Sequence, residues 1–364
     1  MSEPHRGRRR ALWAAGIATG AAVGAIAART LVRRVRGNVD PEVLAELAEL
    51  PPEDLGTVRT HDGLDLHVRA AGDPGAPVLV FVHGFSLDLT MWSHQWRGLA
   101  DRYRCVLYDH RGHGRSARSP DGDYSLQAMG GDLRAVLDAT VGEGPCVLVT
   151  HSMGGMCLLA FAEAHPEEFG TRVAGVVLAD TAAAELVRGA VGVLGARLET
   201  LFRPRFRAAL SVRDRAERLR RLFEARAGDL AFAVARLTNF GPGADPAIVE
   251  HITAVSVRAP VEVWTDALAG LIEMDLRHAL EHVRVPALVV VGDLDRITPP
   301  ASALAMKRAL PSARLVVFRG AGHLPMLEQP ERFNGLVANL ADRAFERAAP
   351  PAGRRRRRAA ASGS

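Results

Sequence analysis

The chain has 364 residues, enough for one large domain with an insertion or for two domains. Its net charge of +5 is unevenly spread, because residues 1–36 carry +7 and Arg354–Arg358 add +5, which leaves −7 on the remaining residues. This mildly acidic body argues against a nucleic-acid enzyme, and three cysteines without a Cys-x-x-Cys pair argue against a disulfide framework or a zinc site.

An uncharged segment, residues 11–28, lies between four arginines on each side. At about 1.5 Å per residue it spans about 27 Å, close to the thickness of a bilayer core. Gly16, Gly20 and Gly24 recur every four residues, a spacing that lets transmembrane helices pack closely. We therefore predict that residues 1–36 hold a single membrane anchor and that the protein lies at the cell membrane. The flanking charges are equal and do not predict on which side of the membrane the rest of the chain lies. A cleaved export signal and a helix that does not insert are the alternatives.

A polar, proline-bounded linker at residues 37–54 contains a short predicted helix over 41–50. Beyond it, residues 57–61 and 64–70 alternate between apolar and polar types on either side of Asp62-Gly63, a dipeptide typical of hairpin turns. We expect the sheet to begin with this hairpin.

Six further apolar runs predict buried strands, and helical patterns lie between most of them. This alternation specifies a mainly parallel α/β sheet. The runs cover residues 77–82, 104–108, 146–149, 173–178, 286–291 and 314–318.

The alternation of strand and helix stops for about a hundred residues after the run at 173–178. This arginine-rich stretch has a helical pattern with a break at Gly241-Pro242-Gly243, and we predict an inserted helical cap over residues 185–284. The core then falls into two parts, 55–184 and 285–347. We expect the Arg-rich tail, 348–364, to be disordered, because its composition offers nothing to bury.

The run at 146–149 is followed by a tight turn and then by an apolar helical pattern. Ser152 lies at the apex of the turn, where its hydroxyl would stand at the end of the strand beside the unpaired N–H groups of the helix. The spacing is small-x-Ser-x-small, with Thr150 at a position where glycine is usual. Ser152 is thus a candidate nucleophile, and a helix-capping serine is the alternative.

Four polar loops follow predicted strands and should converge at one edge of the sheet. A serine nucleophile needs a base and a carboxylate that orients the base, and the order in this chain is Ser152, Asp295, His323. The loops are at residues 83–85, 151–153, 292–295 and 320–323.

Together these motifs resemble the α/β-hydrolase superfamily, in the branch of cap-bearing serine esterases and non-haem haloperoxidases. The resemblance covers about residues 55–184 and 284–345. It implies the α/β-hydrolase fold: a mainly parallel eight-stranded sheet flanked by helices, with a helical cap inserted after the sixth strand. The motifs are His83-Gly84-Phe85, 109–116, 150–155, 292–299 and Gly322-His323.

The resemblance also implies roles for single residues. Ser152 corresponds to the nucleophile, His323 to the general base and then acid, and Asp295 to the orienting carboxylate, with Asp293 and Asp180 as rivals for that last role. The backbone N–H groups of Phe85 and Met153 would form the oxyanion hole. No cofactor and no metal are implied.

The predicted function is hydrolysis of a carboxylic ester, or a related acyl substrate, through an acyl-enzyme on Ser152. Serine at this position departs from the epoxide hydrolase and haloalkane dehalogenase branches, which use aspartate. The alternatives are a haloperoxidase- or perhydrolase-like activity, hydrolysis of a C–C bond on the same triad, and a non-catalytic protein that binds a small ligand. The expected partner is a small-molecule substrate, with membrane association through residues 11–28.

Three further patterns have structural interpretations. We expect His83 and His113 to hold loops by hydrogen bonds, and Asp109 to pair with Arg111. The segment His278–His282 matches the H-x-x-E-H pattern of some zinc peptidases, with both histidines on one helix face, but no distal third ligand is identifiable in the sequence.

Overall fold

The computed structural model describes residues 36, 39–184, 228–260 and 263–349. The predicted membrane segment at 11–28, residues 185–227 of the predicted cap, and the tail from residue 350 onward lie outside the described residues.

Eight strands form one sheet in the order β1-β2-β4-β3-β5-β6-β7-β8. The β1–β2 and β2–β4 pairs are antiparallel and the other neighbours are parallel, so the predicted hairpin opens a mainly parallel sheet. The strands are β1 (Glu53–Arg59), β2 (Asp65–Ala71), β3 (Val78–Val82), β4 (Arg104–Tyr108), β5 (Cys146–His151), β6 (Val173–Ala179), β7 (Ala287–Gly292) and β8 (Arg314–Phe318).

The central strands are apolar at nearly every position because helices cover both faces of the sheet. Every residue of β4, β5, β6 and β7 is buried, as expected for parallel strands. The described α-helices are α1 (Pro41–Ala48), α2 (Ser93–Leu99), α3 (Leu126–Thr140), α4 (Met153–Ala164), α5 (Gly228–Thr238), α6 (Pro246–Arg258), α7 (Leu268–Glu273), α8 (Pro300–Ala309), α9 (Pro325–Glu328) and α10 (Pro330–Ala348).

Two apolar clusters, one on each face of the sheet, make up the core. Side chains alternate between the faces along each strand, so that Val80 and Leu148 belong to one cluster while Phe81 and Val149 belong to the other. The three cysteines are buried and unpaired within these clusters, where they pack as core residues.

Local boundaries differ little from the predictions. The strands over 104–108 and 314–318 have the predicted bounds, whereas α1 ends at Ala48, two residues earlier than predicted. Between β3 and β4, a 3₁₀ turn, Leu89–Trp92, leads into α2. Asp88 caps this turn, because its side chain accepts a hydrogen bond from the Thr90 N–H.

The predicted cap is helical where the structure describes it. Helices α5, α6 and α7 lie in this segment, and the predicted break at Gly241-Pro242-Gly243 falls between α5 and α6. Asp245 caps α6 by accepting a hydrogen bond from the Ala247 N–H at 2.7 Å. The division of the chain into core and cap stays a prediction.

The predicted membrane localisation is wrong, because the structure contains no candidate membrane span in its described part. Within residues 36, 39–184, 228–260 and 263–349, no helix combines the length and apolar character needed to cross a bilayer. Length and a lack of charge drew attention to residues 11–28, but half of that segment is alanine, which contributes little to insertion.

Candidate active site

Ser152 lies in a strained turn between β5 and α4. Its backbone φ of 50° and ψ of −118° are rarely adopted by residues other than glycine, and such strain persists only where the surroundings hold it in place. Here the Ser152 N–H donates to the carbonyl of Ala179 at 3.0 Å, and the Thr181 hydroxyl donates to the Ser152 carbonyl at 2.6 Å. The end of β6 therefore holds the turn from the side.

Small residues are required on the helix side of this turn. A Cβ at Gly154 would lie 2.4 Å from the Val82 carbonyl oxygen, and one at Gly155 would lie 2.7 Å from the Thr181 side chain. On the strand side, Thr150 stands where glycine is usual. Its buried hydroxyl is satisfied, because it donates to the Val177 carbonyl at 2.7 Å. The departure from the motif is thus accommodated by the sheet.

The Ser152 side chain does not cap α4, although Ser152 occupies the capping position. Its Oγ instead lies 3.0 Å from Nε2 of His323, so that the hydroxyl can donate to the imidazole. On the other side of the ring, His323 Nδ1 lies 2.8 Å from Oδ2 of Asp295. The structure thus brings together Ser152 and His323, which are 171 positions apart, with Asp295, and all three residues are buried.

Asp295 is set up to remain ionised. Its Oδ1 accepts the N–H groups of Ile297 and Thr298 at 2.8 and 3.0 Å, and its Oδ2 accepts the Thr298 hydroxyl at 2.7 Å. Burial by itself would raise the pKa of Asp295, but the adjacent His323 and these donors outweigh it and hold the pKa below its ordinary value. A charged carboxylate in this place fixes the ring and favours a proton on its Nδ1.

The two rival carboxylates have different surroundings. Asp293 is exposed and accepts the Gly320 N–H at 2.7 Å, so it shapes the loop that leads to His323. Asp180, at the end of β6, is completely buried, and its Oδ1 accepts the Gly292 N–H at 2.9 Å. Only Asp295 of these three is within hydrogen-bond distance of His323.

The loop that carries His323 is held by contacts that the sequence did not reveal. Glu328 accepts the Gly322 N–H with one carboxylate oxygen and the Gly241 N–H with the other, at 2.7 and 2.8 Å. The His323 N–H donates to the Asn239 carbonyl at 2.7 Å. The segment between α5 and α6 and the His323 loop are therefore fastened to each other. No local motif marks Glu328, because its partners are backbone groups that only the fold brings near.

His151, immediately before Ser152, contacts His323 through both its ring and a hydrogen bond to the His323 backbone. Its Nε2 lies 2.9 Å from the His323 carbonyl, and the two ring centroids are 4.8 Å apart. Burial, and next the neighbouring His323, lower the pKa of His151 to about 3. His151 is therefore neutral near pH 7 and donates its Nε2–H to that carbonyl.

A second group of histidines holds the loop after β3, and this agrees with the prediction for His83 and His113. His83 accepts the His110 N–H at 3.0 Å, while His113 accepts the Ser86 N–H at 3.2 Å and bonds the Arg111 carbonyl at 3.0 Å. Burial lowers the pKa of His110 to about 3 and that of His113 to about 4, and it lowers the pKa of His83 as well. These neutral rings fix the loop that contains Phe85.

The predicted Asp109–Arg111 pair is wrong. Arg111 instead forms two hydrogen bonds with Asp132 of α3, at 2.6 and 2.7 Å, and both side chains are fully buried. Asp109 accepts the N–H groups of Leu89 and Arg115 and contacts the His67 ring. Residues two apart in the loop point in different directions, and proximity in sequence was a poor guide to pairing.

The H-x-x-E-H segment forms a 3₁₀ turn, His278–His282, in place of the predicted helix. With three residues per turn, side chains four apart are rotated by about 120°, so the two histidines do not share a face. His278 Nε2 lies 2.7 Å from a carboxylate oxygen of Glu163. Among the described residues, the one group of three potential metal-ligating side chains that lie close together is Asp180, Asp295 and His323, and two of these already bond each other in the candidate site.

Comparisons with known proteins agree with this architecture. Residues 77–330 match the family model described as alpha/beta hydrolase fold, and the chain belongs to this family. It is 27% identical to 3-oxoadipate enol-lactonase 2 of Acinetobacter baylyi over 288 residues, which cover 78% of this chain and 96% of the relative. It is 28% identical to a non-heme chloroperoxidase of Streptomyces lividans, over 77% of this chain and 97% of the relative.

Solved structures show the same likeness. A thermophilic esterase from Thermogutta terrifontis superposes with a TM-score of 0.63 at 31% identity, covering 80% of this chain and 98% of the esterase. The predicted fold class and superfamily are thereby confirmed, and the relatives support hydrolase activity.

Proposed function

We propose that the protein is a serine hydrolase that cleaves a carboxylic ester, or a closely related acyl substrate, through an acyl-enzyme on Ser152. The observation that carries this proposal is the unbroken chain of hydrogen bonds from Ser152 Oγ through His323 to Asp295, at 3.0 and 2.8 Å. The enol-lactonase and the esterase among the relatives support the choice of an acyl substrate.

In the first half of the proposed reaction, His323 Nε2 takes the proton of the Ser152 hydroxyl while Oγ attacks the ester carbonyl. The imidazolium then gives this proton to the departing alkoxide, and the acyl group stays on Ser152. In the second half, His323 takes a proton from water while the oxygen attacks the acyl carbonyl; the imidazolium then returns this proton to Ser152 Oγ, and the acyl group leaves as the carboxylic acid. Asp295 keeps its charge throughout and stabilises the imidazolium in both halves.

The tetrahedral intermediates carry a negative oxygen that needs donors. Met153 is the first residue of α4, and the first N–H groups of a helix have no partner within that helix. Phe85 lies on the loop that the neutral histidines hold rigid. We assign the N–H groups of Met153 and Phe85 as the two oxyanion donors, and a site that loses one such donor typically loses about 3 kcal/mol of transition-state stabilisation.

An aromatic wall beside this site favours an apolar substrate group. The half-buried ring of Phe85 packs edge-on against Trp264 with centroids 4.8 Å apart, and 39% of Trp264 is exposed. Trp264 belongs to a short π-helical turn, Val263–Ala267, within the predicted cap. We assign the acyl or alcohol group next to the oxyanion hole to this apolar wall.

The direct test is turnover of p-nitrophenyl esters of increasing acyl length by the wild type and by Ser152→Ala. We expect hydrolysis by the wild type, labelling of Ser152 by a fluorophosphonate probe, and loss of both in the variant. Ser125→Ala is the matched control, because the Ser125 hydroxyl accepts the Ala128 N–H as the cap of α3 and is not hydrogen-bonded to Ser152, His323 or Asp295. Full ester turnover by Ser152→Ala would overturn the proposal.

A further inference from the structure

Asp180 occupies the place in the sheet where the parts of the site meet. Strand β6 lies between β5, which leads to Ser152, and β7, which leads to Asp295. At the end of β6, the Asp180 N–H donates to the Val290 carbonyl at 2.9 Å, and its φ of 44° is in the left-handed region that favours glycine. The backbone is therefore held in a strained conformation that fixes where this carboxyl group lies.

Several buried polar side-chain atoms in the described part of the chain lack a hydrogen-bond partner, and Asp180 Oδ2 is the one carboxylate oxygen among them. The Asp180 side chain is fully buried, its Oδ1 accepts the Gly292 N–H, and its Oδ2 has no hydrogen-bond partner among the described residues. Yet carboxylate oxygens of Asp180 and Asp295 and a ring nitrogen of His323 all lie within 4.8 Å of one another. A buried polar atom without a partner costs free energy, so its position beside the site calls for an explanation.

Two buried carboxylates so close together cannot both be ionised at neutral pH. Asp295 is the carboxyl group that ionises more readily, because it accepts three hydrogen bonds besides its contact with His323. Asp180 accepts one. Burial, followed by the charge of Asp295, raises the pKa of Asp180 well above its ordinary value. Asp180 therefore holds a proton, and this proton gives its Oδ2 a hydrogen to donate.

We propose that Asp180 and Asp295 form a carboxyl pair that carries one negative charge, in which Asp180 is a positioning residue that acts on His323 through Asp295. When Asp295 cannot ionise, the charge passes to Asp180, which then stabilises the His323 imidazolium from the same side of the ring. This inference rests on the proposed function, because it assigns a role in the same Ser152–His323 chemistry.

The test is a double-mutant cycle of Asp295→Asn and Asp180→Asn, read by ester turnover and by the rate of fluorophosphonate labelling of Ser152. Asparagine at position 180 retains an oxygen for the Gly292 N–H, and thermal melting checks that each variant is folded. We expect Asp180→Asn alone to remain within about threefold of wild type. We expect Asp295→Asn to lose about 100-fold, less than the roughly 10⁴-fold loss of such a change in a triad without a second acid.

The double variant should be at least about tenfold slower than Asp295→Asn, because the reserve charge is gone. The ratio of the rates of Asp295→Asn and the double variant should rise with pH, since Asp180 must lose its proton to act, whereas a merely structural role gives a constant ratio. Asp101→Asn, added to Asp295→Asn, is the matched control, because Asp101 is an exposed carboxylate before β4 that takes no part in the site, and it should change nothing.

Equal rates for Asp295→Asn and the double variant at every pH would overturn the carboxyl pair. A ratio that does not vary with pH would also overturn it. The labelling rate separates this failure from failure of the proposed function: if the wild type is labelled but hydrolyses no ester, the ester proposal fails, and the pair is still tested by the four labelling rates.

Discussion

Asp132 and Asp180 are both completely buried carboxyl groups, but their neighbours have opposite charges. Asp132 faces the Arg111 guanidinium through two short hydrogen bonds and thereby ties α3 to the loop after β4. Asp180 faces a second carboxyl group, that of Asp295, beside the His323 ring. The first arrangement compensates a buried charge within the fold. The second concentrates acidic groups where a histidine must gain and lose a proton, and such uncompensated arrangements are typical of functional sites.

The sharpest contrast between the two regions concerns His323. We expect His323→Ala to lower kcat by roughly 10⁴-fold or more, because Ser152 loses its base, while thermal stability changes little. Activity assays and thermal melting on the same preparation measure both quantities. His278→Ala is the control, since His278 is an exposed histidine that contacts Glu163, and its activity should equal that of the wild type. Retained activity in His323→Ala would show that His323 is not the base for Ser152.

Substitutions in the Arg111–Asp132 pair should lower stability and leave activity nearly unchanged. Asp132→Ala leaves a buried guanidinium without its main partner, and we expect a loss of about 3–5 kcal/mol in the free energy of unfolding. The activity of each folded molecule should stay near that of the wild type. Urea denaturation measures the loss. The double variant Arg111→Met with Asp132→Leu should be less destabilised than Asp132→Ala, because it removes both charges, and a larger loss in the double variant would contradict the account.

Acid should destabilise the protein through its neutral histidines. The pKa of His110 in the fold, about 3, and that of His113, about 4, lie below the ordinary value of 6.5. The unfolded chain therefore binds protons first as the pH falls below about 6.5, and stability is lost progressively until about pH 4 for His113 and about pH 3 for His110. Urea midpoints at pH 7, 6 and 5 should fall.

The matched variant for this pH effect is His113→Gln, in which the amide can supply the same donor and acceptor. We expect its midpoint to fall less between pH 7 and 5. Carboxylates whose pKa is lowered in the fold, such as Asp275 with a pKa of about 2 through its hydrogen bond with Arg277, lose their contribution only below this range. A midpoint independent of pH between 7 and 5 would contradict burial of neutral imidazoles.

The smallest expected effect concerns Glu328, which fastens the loop of His323. Glu328→Gln replaces one accepting oxygen by an N–H₂ group that faces a backbone N–H, and we expect kcat to fall about tenfold with little change in KM. Steady-state kinetics on a p-nitrophenyl ester measures both. Glu331→Gln alters an exposed carboxylate at the start of α10 and should have no effect. Equal kinetics for Glu328→Gln and the wild type would show that the His323 loop does not depend on this contact.

The sequence predicted most of what depends on local pattern. Apolar runs gave the strands, and the strand ends gave Ser152, Asp295 and His323, which the fold brings into one chain of hydrogen bonds. Strands are predictable here because they are buried on both faces and are therefore uniformly apolar. The catalytic roles of the three residues stay predictions until they are tested.

Contacts between distant or differently oriented residues could not be predicted in the same way. Arg111 binds Asp132 across 21 positions, and Glu328 binds the N–H groups of Gly241 and Gly322, which no side-chain pattern reveals. The H-x-x-E-H match failed because a 3₁₀ turn rotates its histidines apart. The membrane localisation rested on the length, the lack of charge and the glycine spacing of residues 11–28, and the described part of the chain contains no membrane-spanning helix.

The central claim is that Ser152 forms an acyl-enzyme, and mass spectrometry of the intact protein tests it most directly. The wild type is mixed with p-nitrophenyl acetate, and the reaction is quenched with acid within milliseconds to seconds. The mass of the intact protein is measured, and digestion then locates the modified peptide. The account predicts a gain of one acetyl group on the peptide that contains Ser152, decaying as water regenerates the enzyme, and accumulation of this species in Asp295→Asn if deacylation is the slower step. Ester turnover in which the acetyl group lies on another residue, or in which Ser152→Ala acquires it equally, would contradict the account.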